Sequence, residues 1–204
     1  ALPREVVSDR DHPAWRHRLA SVGRAQSAVE VQIGDANGAA VPAGQPGEIM
    51  VRGQTVMQGY WKNPEASAQA LQNGWLHTGD VGYFDDDGYL FLMDRSKDMI
   101  ISGGENIYPR EIEEIIIQHP AIREVAVIGV PDEQWGESVK AIVVLVPGQD
   151  VDEDELISFC QNHIASYKKP KSVDFVAELP KNNYGKIVKR ELRAPYWKRK
   201  QREI

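Results

Sequence analysis

Asp94-Arg95-Ser96-Lys97-Asp98-Met99-Ile100-Ile101-Ser102-Gly103-Gly104-Glu105-Asn106-Ile107-Tyr108-Pro109 is the stretch on which the fold of this chain turns. It runs from a charged crossover into a paired-glycine turn, and the sequence changes character across it. Ahead of it, residues 28–33, 47–53, 81–84 and 89–93 read as short strands separated by turn residues, among them Asp85-Asp86-Asp87-Gly88. Antiparallel β structure follows. Asn63 and Pro64 read as the N-cap and first position of a helix reaching about Leu71. Beyond the crossover, Pro109 opens a helix whose Ile112, Ile115, Ile116 and His119 share a face. Residues 125–129 and 141–146 are continuous apolar runs, as in buried strands. Asp152 and Glu155 have capping-box spacing, opening a helix that turns Leu156, Ile157, Phe159, Cys160 and Ile164 largely inward. The expected fold class is α+β: a β-rich, distorted barrel-like body, then a compact α+β body, with the boundary near 94–97. Residues 1–22, rich in Arg, Asp and His and without period, are expected to be a flexible lead-in.

Composition narrows the function. With 42% hydrophobic and 26% charged residues over 204 positions, the chain has ordinary globular usage. A net charge of -6 argues against a nucleic-acid partner, because phosphate contacts need concentrated positive charge. Basic residues gather only at Lys168-Lys169-Pro170-Lys171 and from Lys186 to Arg202. The single cysteine, Cys160, forms no internal disulfide and reads as a core residue. No apolar stretch is long enough to span a bilayer and no signal-peptide pattern opens the chain, so a cytoplasmic protein is the expectation. The five histidines lack ligand spacing, so no metal site is expected. The acidic turn at 85–87 is not a calcium loop, because Tyr83 falls where the first oxygen ligand belongs. A hairpin with Asp-Gly in the turn fits better.

Candidate chemistry lies in the opening stretch and in Tyr184-Gly185-Lys186-Ile187-Val188-Lys189-Arg190. Gly103 and Gly104 let backbone approach a ligand closely. Arg95, Lys97 and Lys186 are donors suited to phosphate oxygens. This layout suits two bodies that move against each other around an anionic substrate.

Taken together, Asp94 to Asp98, Gly103-Gly104-Glu105-Asn106 and Leu179-Pro180-Lys181 through Lys186 to Arg190 resemble motifs of the adenylate-forming, AMP-binding enzymes. Within that family the likeness is to acyl- and aryl-CoA synthetases of the fatty-acyl or aryl-acid type. The resemblance implies residues 1–94 as the C-terminal, β-rich subdomain of a large AMP-binding domain, 95–98 as a hinge, and 99–204 as a mobile, swivelling C-terminal domain. It implies Lys186 as the catalytic lysine of adenylation. Asp80, in Thr78-Gly79-Asp80, matches the aspartate that accepts both ribose hydroxyls of ATP, a role suited to a carboxylate with two acceptor oxygens. Arg95 matches a ribose-contacting arginine and Lys97 the hinge pivot. Gly103, Gly104 and Glu105 would replace Lys186 at the active site after rotation and line the pantetheine tunnel. Trp135 resembles a tryptophan that stacks on the adenine of CoA, and Tyr167, Lys169 and Lys171 an aromatic-and-basic cluster meeting its phosphates. Implied co-substrates are ATP with Mg2+, CoA and a fatty or aryl acid, AMP being released; a homodimer is compatible with this reading.

The chain lacks the family's Ser/Thr/Gly-rich phosphate loop ending in Pro-Lys-Gly and its Tyr-Gly-x-Thr-Glu segment. It therefore reads as the C-terminal portion of a synthetase, inactive by itself. Two alternatives stay open: an adenylation domain that charges a carrier protein, and a non-catalytic nucleotide- or CoA-binding module acting with a larger subunit.

Overall fold

The computed structural model describes residues 1–197. The portion of the basic run beyond Trp197 lies outside the described residues. The chain divides into two compact units, Ala1–Ser96 and Lys97–Ile204.

The first unit comprises α1 (Arg4–Ser8), α2 (Trp15–Ala20), β1 (Val29–Gly34), β2 (Gly47–Gly53), α3 (Pro64–Ala70), β3 (Leu71–Gln72), β4 (Trp75–Phe84) and β5 (Leu90–Arg95). Its strands pair antiparallel in the order β1-β2-β4-β3, and β5 also pairs with β4. The small core includes Ile33, Ile49, Met50, Val81, Tyr89 and Phe91. Asn63 caps α3, its Oδ1 accepting the Ala66 N–H at 3.1 Å. The acidic turn closes the β4–β5 hairpin: Asp85 Oδ1 accepts the Tyr89 N–H at 2.8 Å, and Gly88 adopts φ +77°.

Residues 1–22 correct the expectation of a flexible lead-in. They form α1 and α2, and the segment docks on the β5 hairpin. Val22 N–H donates to the Leu90 carbonyl at 2.9 Å, and the guanidiniums of Arg18 and Arg24 lie 5.4 and 4.5 Å from the Tyr89 ring centre. Arg18 also pairs with Asp87 at 3.4 Å, and the His17 ring lies tilted by 34° against Phe91, with centres 4.5 Å apart. The partners lie some seventy residues away in sequence, so local periodicity carried no trace of them.

The second unit comprises β6 (Ile100–Ser102), β7 (Glu105–Ile107), α4 (Pro109–Ile116), β8 (Ile122–Asp132), β9 (Gly136–Leu145), α5 (Glu153–Gln161), β10 (Ser172–Phe175) and α6 (Lys189–Trp197). Central β9 pairs antiparallel with β8 and, at Gly136, with β6; β10 joins it in parallel. The unbroken apolar runs have a simple cause: both faces of the β8–β9 hairpin are covered. Val125, Val127, Val139, Ala141 and Val143 pack with Ile112, Ile116, Leu156 and Cys160. The alternate residues Ala126, Ile128, Val130, Ile142 and Val144 pack with Leu179, Leu192 and Tyr196. Side chains that alternate between faces thus all meet apolar neighbours.

Polar groups tie the layers together. Glu113 Oε1 accepts from Lys189 Nζ at 2.8 Å and from the Val127 N–H at 2.7 Å, which gives one outward-facing N–H of β8 a partner. Asp152 caps α5 by accepting the Glu155 N–H at 2.8 Å. Burial pushes the Cys160 thiol up to about 11, which marks an inert core residue.

Asp174 links α6 to β10, receiving Lys140 Nζ at 2.6 Å and the Tyr196 hydroxyl. Burial opposes its ionisation, but these two donors outweigh burial and hold the carboxyl below its ordinary 3.8. Burial, followed by the Asp174 carboxylate, pushes the Tyr196 hydroxyl from 10.0 up to about 12. The folded unit thus keeps a proton that the unfolded chain releases above about pH 10. The stability from this contact is complete below pH 10 and is lost as pH rises through about 12. Urea unfolding at stepped alkaline pH should show a shallower fall for Tyr196→Phe than for the parent; equal slopes would show that the hydroxyl contributes nothing.

Candidate active site

In the first unit, the site is built by a bulge in β4. Register pairs Glu48 with Val81 and Met50 with His77, leaving Thr78, Gly79 and Asp80 opposite Ile49 alone. Thr78 Oγ1 holds the bulge by donating to the Ile49 carbonyl at 2.7 Å and accepting the Asp80 N–H at 3.1 Å. Gly79 adopts φ +72°, which side-chain-bearing residues rarely take. Its N–H donates to Glu48 Oε1 at 2.9 Å, while Glu48 Oε2 meets His77 Nδ1 at 2.7 Å. Asp80 is thereby set opposite Arg95 on β5. Arg95 Nε lies 3.4 Å from Asp80 Oδ1, with side chains 58% and 37% exposed, so both can reach a ligand. The sequence nominated these residues separately; the ladder makes them one ion pair. Glu48 was missed, since nothing in its own neighbourhood marks it.

The second unit carries two groups. Gly103 and Gly104, at φ +61° and +86°, form the two-residue turn between β6 and β7. Glu105 follows, exposed, at the start of β7. The Gly103 N–H donates to the Trp135 carbonyl at 2.9 Å, and the indole covers Gly103 so closely that a Cβ there would lie 2.7 Å from Trp135 Cε3. Trp135 is 45% exposed and Lys171 Nζ lies 5.4 Å from its ring centre. Gly103, Gly104, Trp135 and Lys171 thus converge. Tyr167 and Lys169 do not join them: among the described residues no hydrogen bond or ion pair links either to this group. Tyr167 is half-exposed beside Lys168, whose ammonium is bound by Glu111 at 2.7 and 2.8 Å.

Lys186 sits in a turn organised by Asn182. The Asn182 side chain accepts the Tyr184 and Lys186 N–H groups, both at 3.0 Å, and Gly185 adopts φ +78°. Lys186 is exposed, with no ion-pair partner among the described residues. Lys181 bridges Ile187 and pairs with Glu124 at 2.5 Å, which anchors this turn at the start of β8. The Gly103 turn is anchored at the other end of the same hairpin, where Gly136 pairs with both Asp132 and Ser102. The strand from Glu124 to Asp132 spans about 26 Å at about 3.3 Å per residue.

Lys97 lies in a 3₁₀ turn, Ser96–Asp98. Arg193 on α6 donates to the Lys97 carbonyl at 3.0 Å and pairs with Asp98 at 2.9 Å, with side chains only 12% and 13% exposed. The crossover is therefore fastened to the second unit from Lys97 onward. Among the described residues, no three His, Cys, Asp or Glu side chains converge as a metal ion requires.

Two family models match the chain: the AMP-binding enzyme model over residues 6–61, and the AMP-binding enzyme C-terminal domain over residues 111–186. The chain belongs to the AMP-binding, adenylate-forming enzyme family. It is 48% identical over 193 residues to a feruloyl-CoA synthase of an Amycolatopsis species, covering 95% of this chain and 39% of that protein. Among solved adenylate-forming enzymes, it superposes on o-succinylbenzoate CoA synthetase from Bacillus subtilis, in complex with its acyl-adenylate intermediate. That match has a TM-score of 0.82 at 37% identity and covers 93% of this chain and 37% of the other. The amide bond synthetase from Marinactinospora thermotolerans matches with a TM-score of 0.80 at 43% identity, over 89% of this chain and 37% of its own. The chain thus spans under two fifths of the length of these relatives.

Proposed function

We propose that this chain is the C-terminal portion of an ATP-dependent carboxylic acid–CoA ligase that makes an acyl-adenylate and then an acyl-CoA in one cleft. The observation that carries the reading is the placement of the Lys186 turn and of the Gly103–Gly104 group at opposite ends of one hairpin in the second unit. A body so built can present one end or the other, not both together, to a single reacting centre.

In the first half-reaction, a carboxylate oxygen attacks the α-phosphorus of ATP and pyrophosphate leaves. Asp80 accepts the ribose hydroxyls and Arg95 donates beside it. Lys186 offsets negative charge on the oxygens around the phosphorus. Magnesium would come with ATP as part of the substrate, held mostly by the phosphates and waters. In the second half-reaction, the thiol sulfur of CoA attacks the acyl carbon, AMP leaves and the thiol proton goes to solvent or phosphate. Gly103 and Gly104 clear a path for the pantetheine arm, Glu105 borders it, and Trp135 with Lys171 receives the nucleotide. Tyr167 and Lys169 supply further contacts on the connection from α5 to β10. Because Arg193 fastens Lys97 and Asp98, the rotation is confined to bonds ahead of the Lys97 carbonyl. On this reading residues 95–98 are the hinge segment between a β-rich subdomain, 1–94, and a mobile domain, 99–204, with the rotation taken up at its N-terminal end.

The names of the relatives favour aromatic acids, with fatty acids as the neighbouring class. Among the described residues no helix is long and apolar enough to cross a membrane, and a cytoplasmic setting goes with the co-substrates ATP and CoA. The test is acceptor choice in the full-length enzyme, supplied with ATP, magnesium and a panel of aryl and fatty acids. Acyl-CoA with stoichiometric AMP is the expected product. Transfer to an amine or a carrier protein with none to CoA would overturn the assignment. The 204-residue chain alone is expected to show no ATP–pyrophosphate exchange with any acid.

A further inference from the structure

Asp132 bonds two members of the Gly103 group, Trp135 and Lys171. It ends β8, three residues before Trp135 in the hairpin turn. Its Oδ1 accepts the Gln134 and Trp135 N–H groups, both at 3.0 Å, and its Oδ2 accepts Lys171 Nζ at 3.2 Å. Three things follow from one carboxylate. The turn is closed so that the Trp135 carbonyl meets the Gly103 N–H at 2.9 Å. The indole is laid over Gly103 and stays 45% exposed. Lys171, otherwise a long flexible cation, is kept 5.4 Å from the ring centre. The Trp135 N–H, and after it Lys171, hold the Asp132 carboxyl below its ordinary 3.8, so the brace stays charged at neutral pH.

We infer that Asp132 is the positioning residue for the nucleotide end of CoA, acting through Trp135 and Lys171 and touching no ligand itself. The inference rests on the reading of Trp135 as the adenine-stacking face. A stacking platform binds in proportion to how well its plane is fixed beforehand, because ordering it on binding costs affinity. Asparagine at this position retains an acceptor for both N–H groups and loses only the charge toward Lys171; alanine loses both.

The experiment compares Asp132→Ala, Asp132→Asn and Trp135→Ala in the full-length enzyme, reading KM and kcat for CoA alongside ATP–pyrophosphate exchange. Asp132→Ala and Trp135→Ala should each raise the KM for CoA about tenfold, and in Asp132→Ala kcat at saturating CoA and exchange should stay within about twofold. Asp132→Asn should stay within about threefold of the parent KM. A normal KM in Asp132→Ala with a raised one in Trp135→Ala would overturn the role of Asp132 alone. A normal KM in both would overturn the nucleotide reading of Trp135 itself. Equal defects in the Ala and Asn variants would assign the effect to the Lys171 ion pair and reject the turn brace. Loss of kcat and exchange together with KM would reduce Asp132 to a folding residue.

Discussion

Lys186→Ala should lower ATP–pyrophosphate exchange in the full-length enzyme by about 10²–10³-fold and leave thioester formation from preformed acyl-adenylate within a few-fold of the parent. The size follows from removing a fixed cation beside oxygens that gain charge in the transition state. The asymmetry follows from the structure. Lys186 and the Gly103 turn are anchored at opposite ends of the β8–β9 hairpin, so the loss of one end should spare chemistry served by the other. Folding should be unaffected: Lys186 is exposed, and its turn is held by its backbone N–H on Asn182 rather than by its ammonium. Thermal unfolding of the variant should therefore match the parent within about 0.5 kcal/mol. Equal loss of both half-reactions would reject the separation of roles, and exchange above about a tenth of the parent rate would reject Lys186 as the adenylation cation.

The second large effect concerns the paired glycines, which the structure makes unequal. An alanine at either position must adopt positive φ, at a cost of about 1–2 kcal/mol. At Gly103 the new methyl would also lie 2.7 and 3.1 Å from two atoms of the Trp135 ring and push the indole off its seat. At Gly104 a methyl meets no atom within 4 Å. Urea unfolding of the 204-residue chain should thus show Gly103→Ala less stable than Gly104→Ala by about 1 kcal/mol, the cost of an off-rotamer aromatic. In the full-length enzyme, Gly103→Ala should slow acyl transfer to CoA about 100-fold, since displacement by about 1 Å is that costly to a positioned reactant, while exchange persists. Gly104→Ala tests the tunnel separately: its methyl disturbs no protein atom, so a comparable loss of transfer there would come from the pantetheine path itself. Normal transfer in both variants would remove the glycine turn from the thioester step.

The same contrast between local and distant partners separates what could be read beforehand from what could not. The helix from Pro64, the hairpin around Asp85 to Gly88 and the helix from Pro109 were legible because capping, turn chemistry and apolar period act within a few residues of each other. The buried strands were legible as strands covered on both faces, but their pairing as one antiparallel hairpin was not. An unbroken apolar run says that both faces are covered, and not by what. Residues 1–22 misled for a related reason. Arg18, Val22 and Arg24 bond to residues near 90, and no local pattern records partners that far along the chain. Tyr167 and Lys169 lie close to Lys171 in sequence, yet among the described residues no hydrogen bond or ion pair links either to the group that Lys171 joins.

By itself the sequence determined the family, the α+β order of the elements and the nomination of Asp80, Arg95, Gly103, Gly104, Trp135, Lys171 and Lys186. These are properties of residue type and spacing, and spacing is written along the chain. Tertiary structure alone decided that Asp80 and Arg95 form one ion pair across a bulge held by Glu48. It also decided that Arg193 fastens the crossover from Lys97, that Asp132 braces the tryptophan, and that the lysine and glycine turns stand at opposite ends of a hairpin. Each of these depends on strand register and on packing between segments far apart in sequence, where a shift of a single residue would turn every side chain to the other face.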